Sequence, residues 1–317
     1  MMARDAPSRG ASRFLGPPTV ASPGPLAYLA LVVAVVAVSW SAIFIRLATA
    51  PPLVIATHRM FLAVLLLLPF FARGGWRELR RLRARHVAAL GLSGVALAAH
   101  FGLWTLSLRY TSVASSVLFV SLHPALVAAL GWAVFREPTT RLTALGIALT
   151  ALGSAMLGAS DVRVSGQAIL GDALALGGAV ALVAYLLVGR ALRGRLGSAA
   201  YSTPVYAVCG VTLLAGSLVA GDDVLAVTPR DWALFLALAA VCTVGGHTVF
   251  NWALRYVPTA GVAIAFVGEP VVATGLAWLL LSEAPSALTM AGGLVTLAGL
   301  VVAWRGTTST AARAPGR

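Results

Sequence analysis

The sequence contains no lysine: all 23 of its basic residues are arginine, set against ten acids, so charged residues make up only 10% of the chain. An ordinary soluble domain carries roughly 25%. With 59% hydrophobic residues and a mean hydropathy of +0.91, the balance excludes a water-soluble globule and points to lipid. Cysteine is scarce too. Cys209 and Cys242 both fall inside apolar runs, which excludes a disulfide scaffold and leaves them as packing residues. There is no HExxH, no paired-carboxylate motif and no P-loop, which disfavours the enzyme classes built on them.

What is present is a series of apolar runs near the ~20 residues needed to cross a bilayer core. Ten are expected, over roughly 26–48, 51–72, 87–108, 112–134, 140–158, 168–189, 202–220, 232–254, 259–281 and 286–304. The fold class is therefore an all-α integral membrane protein. Residues 1–25 read as a disordered tail, and the apolar run that follows is longer than the 7–15 residues of a signal-peptide core. The arginines could suggest nucleic acid until they are placed. With the N-terminus in the cytoplasm, eighteen fall on inside segments, including Arg77, Arg80, Arg81, Arg83 and Arg85, and only Arg109, Arg163 and Arg230 fall outside. By the positive-inside rule both termini are cytoplasmic; the basic charge is a topology signal, its partner the lipid bilayer, and no nucleic-acid partner is expected.

Self-comparison reveals a repeat. LRY at 108–110 recurs at 254–256, and Pro124, Trp132, Glu137, Gly146 and Gly153 recur as Pro270, Trp278, Glu283, Gly292 and Gly299. Every pair is 146 residues apart. The first two spans of each half align only weakly. Five spans per half force the second half to enter the membrane upside down, the inverted-repeat plan of secondary transporters. The halves are expected at 26–158 and 168–304, with 305–317 a cytoplasmic tail.

Ten spans in two five-helix halves, with prolines mid-way along the fourth and ninth and Glu137 and Glu283 just beyond them, resemble the EamA-type permeases of the drug/metabolite transporter superfamily. The resemblance covers roughly 27–304. It implies transport of amino acids, other metabolites or toxic compounds, export more than uptake, and a plasma (inner) membrane location, with no cofactor and no enzymatic activity.

The same offset pairs Glu269 with His123, each followed by proline, in VGEPVV and SLHPAL. Both lie about half-way along their spans. A carboxylate at the bilayer centre costs about 2.5–3.5 kcal/mol on insertion scales and faces the bundle interior or water. Each proline also denies a partner to the carbonyl four residues earlier, that of Val120 or Phe266, and freed carbonyls at a cavity can hold a cation or water. Helical spacing adds Thr243, His247 and Asn251 on the eighth span, His100 and Trp104 on the third, and Ser116 and Phe119 beside His123 on the fourth. Such a mixture suits an amphipathic small molecule, though the same groups could equally join helices.

Arg59 can bind an anionic group or pair with Glu269, since buried charges seek partners; the resemblance implies an arginine in this span and, in the first span, an aromatic and a basic residue, here Trp40 and Arg46. Trp40 can stack on a substrate or pack, and Arg46 is expected to snorkel. Glu137 and Glu283 are expected to complement the dipoles of the fifth and tenth helices, and the paired glycines to allow close helix contact. The candidate binding set is Glu269, His123, Trp40, Arg59, His100, Trp104, Phe119, His247 and Asn251, with Glu269 as the coupling residue. A facilitator of the same fold, or a membrane-embedded enzyme using Glu269 and histidines, are the alternatives. A monomer or a homodimer fits equally.

Overall fold

A backbone in hydrocarbon has no water to satisfy its N–H and C=O groups, so it spans as helix or closed barrel. The computed structural model describes residues 25–126, 129, 140–164, 166–193, 195–253 and 268–313, and all regular structure among them is helical. In chain order the helices are α1 (Pro25–Leu47), α2 (Pro52–Arg80), α3 (Ala84–Ser107), α4 (Val113–Leu126), α5 (Arg141–Val164), α6 (Gly166–Arg193), α7 (Ser198–Val219), α8 (Pro229–Ala253), α9 (Gly268–Leu281) and α10 (Ala287–Arg313). Among the described residues eight are long and apolar enough to cross a membrane, and the described parts of α4 and α9 are shorter apolar helices. The remainder of the fourth and ninth expected spans, Trp132 and Phe266 included, lies outside the described residues apart from residue 129, as does Glu137. Helix α10 runs on to Arg313, past the expected end at 304.

The helix boundaries carry the repeat into the part where the residues align weakly. Pro52 and Ser198 begin α2 and α7, and Arg141 and Ala287 begin α5 and α10. Each pair is again 146 residues apart. The packing obeys the same relation. Helices α2 and α7, α4 and α9, and α5 and α10 contact their own counterparts, while α1 lies on α8 as α6 lies on α3, and α1 on α9 as α6 on α4. The chain is thus two inverted five-helix repeats around a pseudo-two-fold axis.

Helices α5 and α10 form the most extensive pair, and glycine is the reason. A Cβ at Gly153 would stand 2.5 Å from the Thr296 amide nitrogen, and one at Gly299 would stand 2.5 Å from that of Thr150. Small residues at these four expected positions let two backbones touch, which compensates for the missing hydrophobic drive between helices in lipid.

Two carboxylates tie the halves together at opposite ends of the bundle. Asp231, at the start of α8, accepts from the Thr49 amide (2.8 Å) and hydroxyl (2.6 Å) just ahead of α2. Glu78, at the end of α2, accepts from the Gly197 amide (2.6 Å) just ahead of α7. Each satisfies a backbone donor at a helix start.

Two expectations are corrected at the arginine-poor end. Arg46 does not snorkel: its guanidinium reaches Glu283 at 2.9 Å and donates to the Thr111 carbonyl at 3.1 Å. Nor does Glu283 serve the dipole of α10. Ser282 adopts φ 58°, closing α9 in the left-handed manner of a helix C-cap and turning Glu283 back so that its amide bonds Ala277 (3.2 Å). Its carboxylate then accepts from the Val113 amide at 2.9 Å, placing a negative charge at the positive end of α4 instead.

Candidate functional site

At the junction of the halves, α1, α3, α4, α6, α8 and α9 enclose a small cavity. Its polar wall comes from Ser41, His100, His123, His247 and Glu269, its apolar wall from Trp104, Val120 and Leu182. The volume is about 20 Å³, space for one water. Among the described residues no three His, Cys, Asp or Glu side chains converge as metal ligands.

The break in α4 shows how sequence builds this wall. Helical geometry stops at Ser121–Leu122 and resumes at His123, because Pro124 has no N–H to offer the Val120 carbonyl. That carbonyl was expected to be free for a cation or water. Instead the His123 Nδ1 takes it at 3.3 Å, which makes Nδ1 the donor. Glu269 lies in α9 next to Pro270, and its own carbonyl is approached by the Ser39 hydroxyl (3.4 Å). Symmetry mates therefore face one cavity from α4 and α9. Phe101 and His247, also 146 residues apart, touch edge to face at 5.4 Å between centroids, which puts the axis beside the cavity.

Behind this layer lies Arg59, only 1% exposed. Its Nε donates to the Thr243 hydroxyl at 2.8 Å and its guanidinium lies 4.3 Å from the Phe101 ring centroid, while neither terminal nitrogen has a hydrogen-bond partner. A cation with one neutral acceptor and an aromatic face is poorly compensated for burial. Glu269, one of the two alternatives open to it from the sequence, lies on the cavity wall and not within ion-pair reach.

The other expected residues divide. His100 stacks on Trp104 (6.2 Å, 5° between planes) and its Nδ1 bonds the Gly178 carbonyl of α6 at 3.0 Å, so both stand on the wall with fixed orientation. Trp40 stacks on Phe44 (5.5 Å), and Phe119 is buried beside the cavity without lining it. Ser116 bonds Ser107. Asn251 is engaged by Tyr185 (3.1 Å) and Ser202 (3.4 Å) on α6 and α7, joining helices.

The stripe on α8 splits because Leu238–Thr248 is a π-helix, whose i→i+5 bonding changes which residues share a face. Thr243 back-bonds the Leu238 carbonyl and Thr248 that of Thr243, each five residues earlier. Thr243 is thereby aimed at Arg59 and His247 at the cavity. Ser41 and Leu182 escaped sequence reading. Ser41 sits next to Trp40 in SWSAIF, a polar residue in an apolar helix that could have been flagged; Leu182 carries no such signal.

The sequence matches the EamA-like transporter family twice, over residues 25–159 and 169–305. The chain belongs to the EamA-like transporter family. Those two matches coincide with the two structural repeats. An uncharacterized transporter of Archaeoglobus fulgidus is 25% identical over 276 residues, covering 86% of this chain and 94% of that protein. A pseudopaline exporter of Pseudomonas aeruginosa is 32% identical over 101 residues, 32% of this chain and 35% of the exporter. A solved crystal structure superposes with a TM-score of 0.61 at 18% identity, covering 88% of this chain and 98% of the other; at that identity the likeness speaks for the fold. The EamA family member described here is thus a multi-pass membrane protein of a transporter family.

Proposed function

We propose that the protein is a secondary transporter that exports a small amphipathic metabolite, an amino acid or a related compound, by alternating access around the midplane cavity. The observation that carries this reading is the meeting of Glu269 and His123, symmetry mates on α9 and α4 of opposite repeats, in one cavity at the pseudo-two-fold axis. Ionisable groups inside a membrane mark transport pathways, and rocking of inverted repeats about such a site exposes it to each face in turn.

In this reading Glu269 exchanges a proton or holds the cationic group of the substrate. His100 and Trp104 form an aromatic wall, and Arg59 waits behind Phe101 for an anionic group. Export is favoured by the sequence shared, over 101 residues, with a protein named as a pseudopaline exporter. The arginine distribution supports an inner-membrane orientation with both termini cytoplasmic.

Transport in proteoliposomes tests it. Glu269→Gln is expected to abolish pH-dependent accumulation while the protein remains folded. Unchanged rate and pH dependence would remove Glu269 from coupling and leave the uncoupled facilitator, which counterflow without a pH gradient would then reveal.

A further inference from the structure

A second cavity opens at the arginine-poor end of the bundle, far larger than the midplane one at about 470 Å³, within the range of small-molecule sites. Its charged lining comes from Arg46, Arg109 and Glu283; Ser160, Ser286 and Thr289 supply hydroxyls. Among the described residues two guanidiniums against one carboxylate leave this wall one positive charge in excess.

The guanidiniums are not saturated. Arg109 gives Nη2 to the Ala50 carbonyl at 2.7 Å. Arg46 reaches Glu283 and the Thr111 carbonyl, yet its Nε is buried without a partner. The hydroxyls are held on one another: Ser160 bonds Ser286 (2.8 Å) and Thr289 (3.0 Å), linking the end of α5 to the start of α10. A hydroxyl can rotate to donate to an anion or accept from a cation, so the rim adapts to a polar guest without rearranging helices.

We propose that this cavity is a second binding site, for a solute of amino-acid size that presents a carboxylate to Arg46 and Arg109 in competition with the carboxylate of Glu283. Arginine forks match carboxylates bidentately, whereas Glu283 takes a single nitrogen of Arg46, Nη2 at 2.9 Å, which also donates to the Thr111 carbonyl. The competition has a consequence that a mere surface dent lacks: removing the charge of Glu283 strengthens binding of the guest. The inference concerns binding alone and stands whether or not the midplane cavity transports.

Calorimetric titration of the purified protein in detergent, at fixed ionic strength, tests it with isovalerate, leucine and leucinamide. Isovalerate and leucine are expected to bind and leucinamide, whose carboxylate is masked, to bind at least about tenfold more weakly, as loss of a charge-assisted pair implies. Glu283→Gln should tighten isovalerate binding several-fold, and Arg46→Gln should weaken it. Ser286→Trp, at an exposed rim position, should fill the cavity and abolish the effect, with Ala284→Trp as the second filling variant should the first fail to fold. Isovalerate binding that is absent in the wild type, unchanged or weaker in Glu283→Gln, or intact in the folded filling variant overturns the proposal. Loss of transport in Glu269→Gln with isovalerate binding retained separates this site from the midplane one; binding that vanishes with Glu269→Gln would place the carboxylate at the midplane and also overturn it.

Discussion

Replacing Arg59 by methionine separates a functional cation from a structural one. The guanidinium is 1% exposed, with one hydrogen bond to Thr243, a cation–π contact with Phe101 and two nitrogens without partners. Arg59→Met forfeits a charge-assisted bond of about 1.5–3 kcal/mol and a desolvated cation–π contact of up to about 2 kcal/mol. It also removes the cost of holding arginine in the membrane, about 2.5–3.5 kcal/mol on insertion scales. The terms nearly cancel, so stability should change by no more than about 2 kcal/mol, as when other buried charges are replaced by apolar residues of similar volume. Transport of a carboxylate-bearing substrate should be lost. The assays are thermal unfolding in detergent followed by tryptophan fluorescence, and flux in proteoliposomes. Thr243→Val supplies the control: alone it should destabilise by about 1.5–3 kcal/mol by stripping the buried charge of its acceptor, and in the Arg59→Met background it should cost little, a coupling that a double-mutant cycle reads. An Arg59→Met protein that fails to fold, or that folds and transports normally, would refute the reasoning.

Further expectations follow from packing. Gly153→Leu forces a side chain into the Thr296 backbone and should cost more than about 2 kcal/mol through overpacking, seen as a lowered unfolding midpoint. Asn251→Leu should lower stability by about 1–2 kcal/mol for the bonds to Tyr185 and Ser202 without altering substrate affinity, since its amide faces a helix junction. Pro124→Ala restores an amide donor to the Val120 carbonyl and straightens α4, a change that should leave stability equal or raise it by up to about 3 kcal/mol. It displaces the His123 ring, so the transport rate should fall.

Hydropathy and an unbroken 146-residue offset made the ten spans and the inverted repeat legible in the sequence, because crossing lipid permits few solutions. Glu269, His123, His100, Trp104 and His247 were legible for the same reason: polar atoms in apolar runs must turn inward. Asn251 and Ser116 obeyed the same rule but turned toward neighbouring helices, and no spacing separates an inward face on a cavity from one on a helix. The π-helix in α8 was invisible, since the stripe was laid out on i, i+4 spacing and i→i+5 bonding leaves no hydropathy signature of its own. The Arg46–Glu283 pair was missed because it joins residues 237 positions apart, and each taken alone fits a simpler role at a helix end.

The central claim, that Glu269 borders a water path open to each face in turn, is most directly tested by thiol accessibility. In a protein with Cys209 and Cys242, both buried, replaced by alanine, Glu269→Cys is exposed to a membrane-impermeant thiosulfonate from one side of sealed vesicles and then the other. The account predicts labelling from both sides. Absence of labelling from either side, with the denatured protein fully reactive, would place residue 269 against lipid and contradict it.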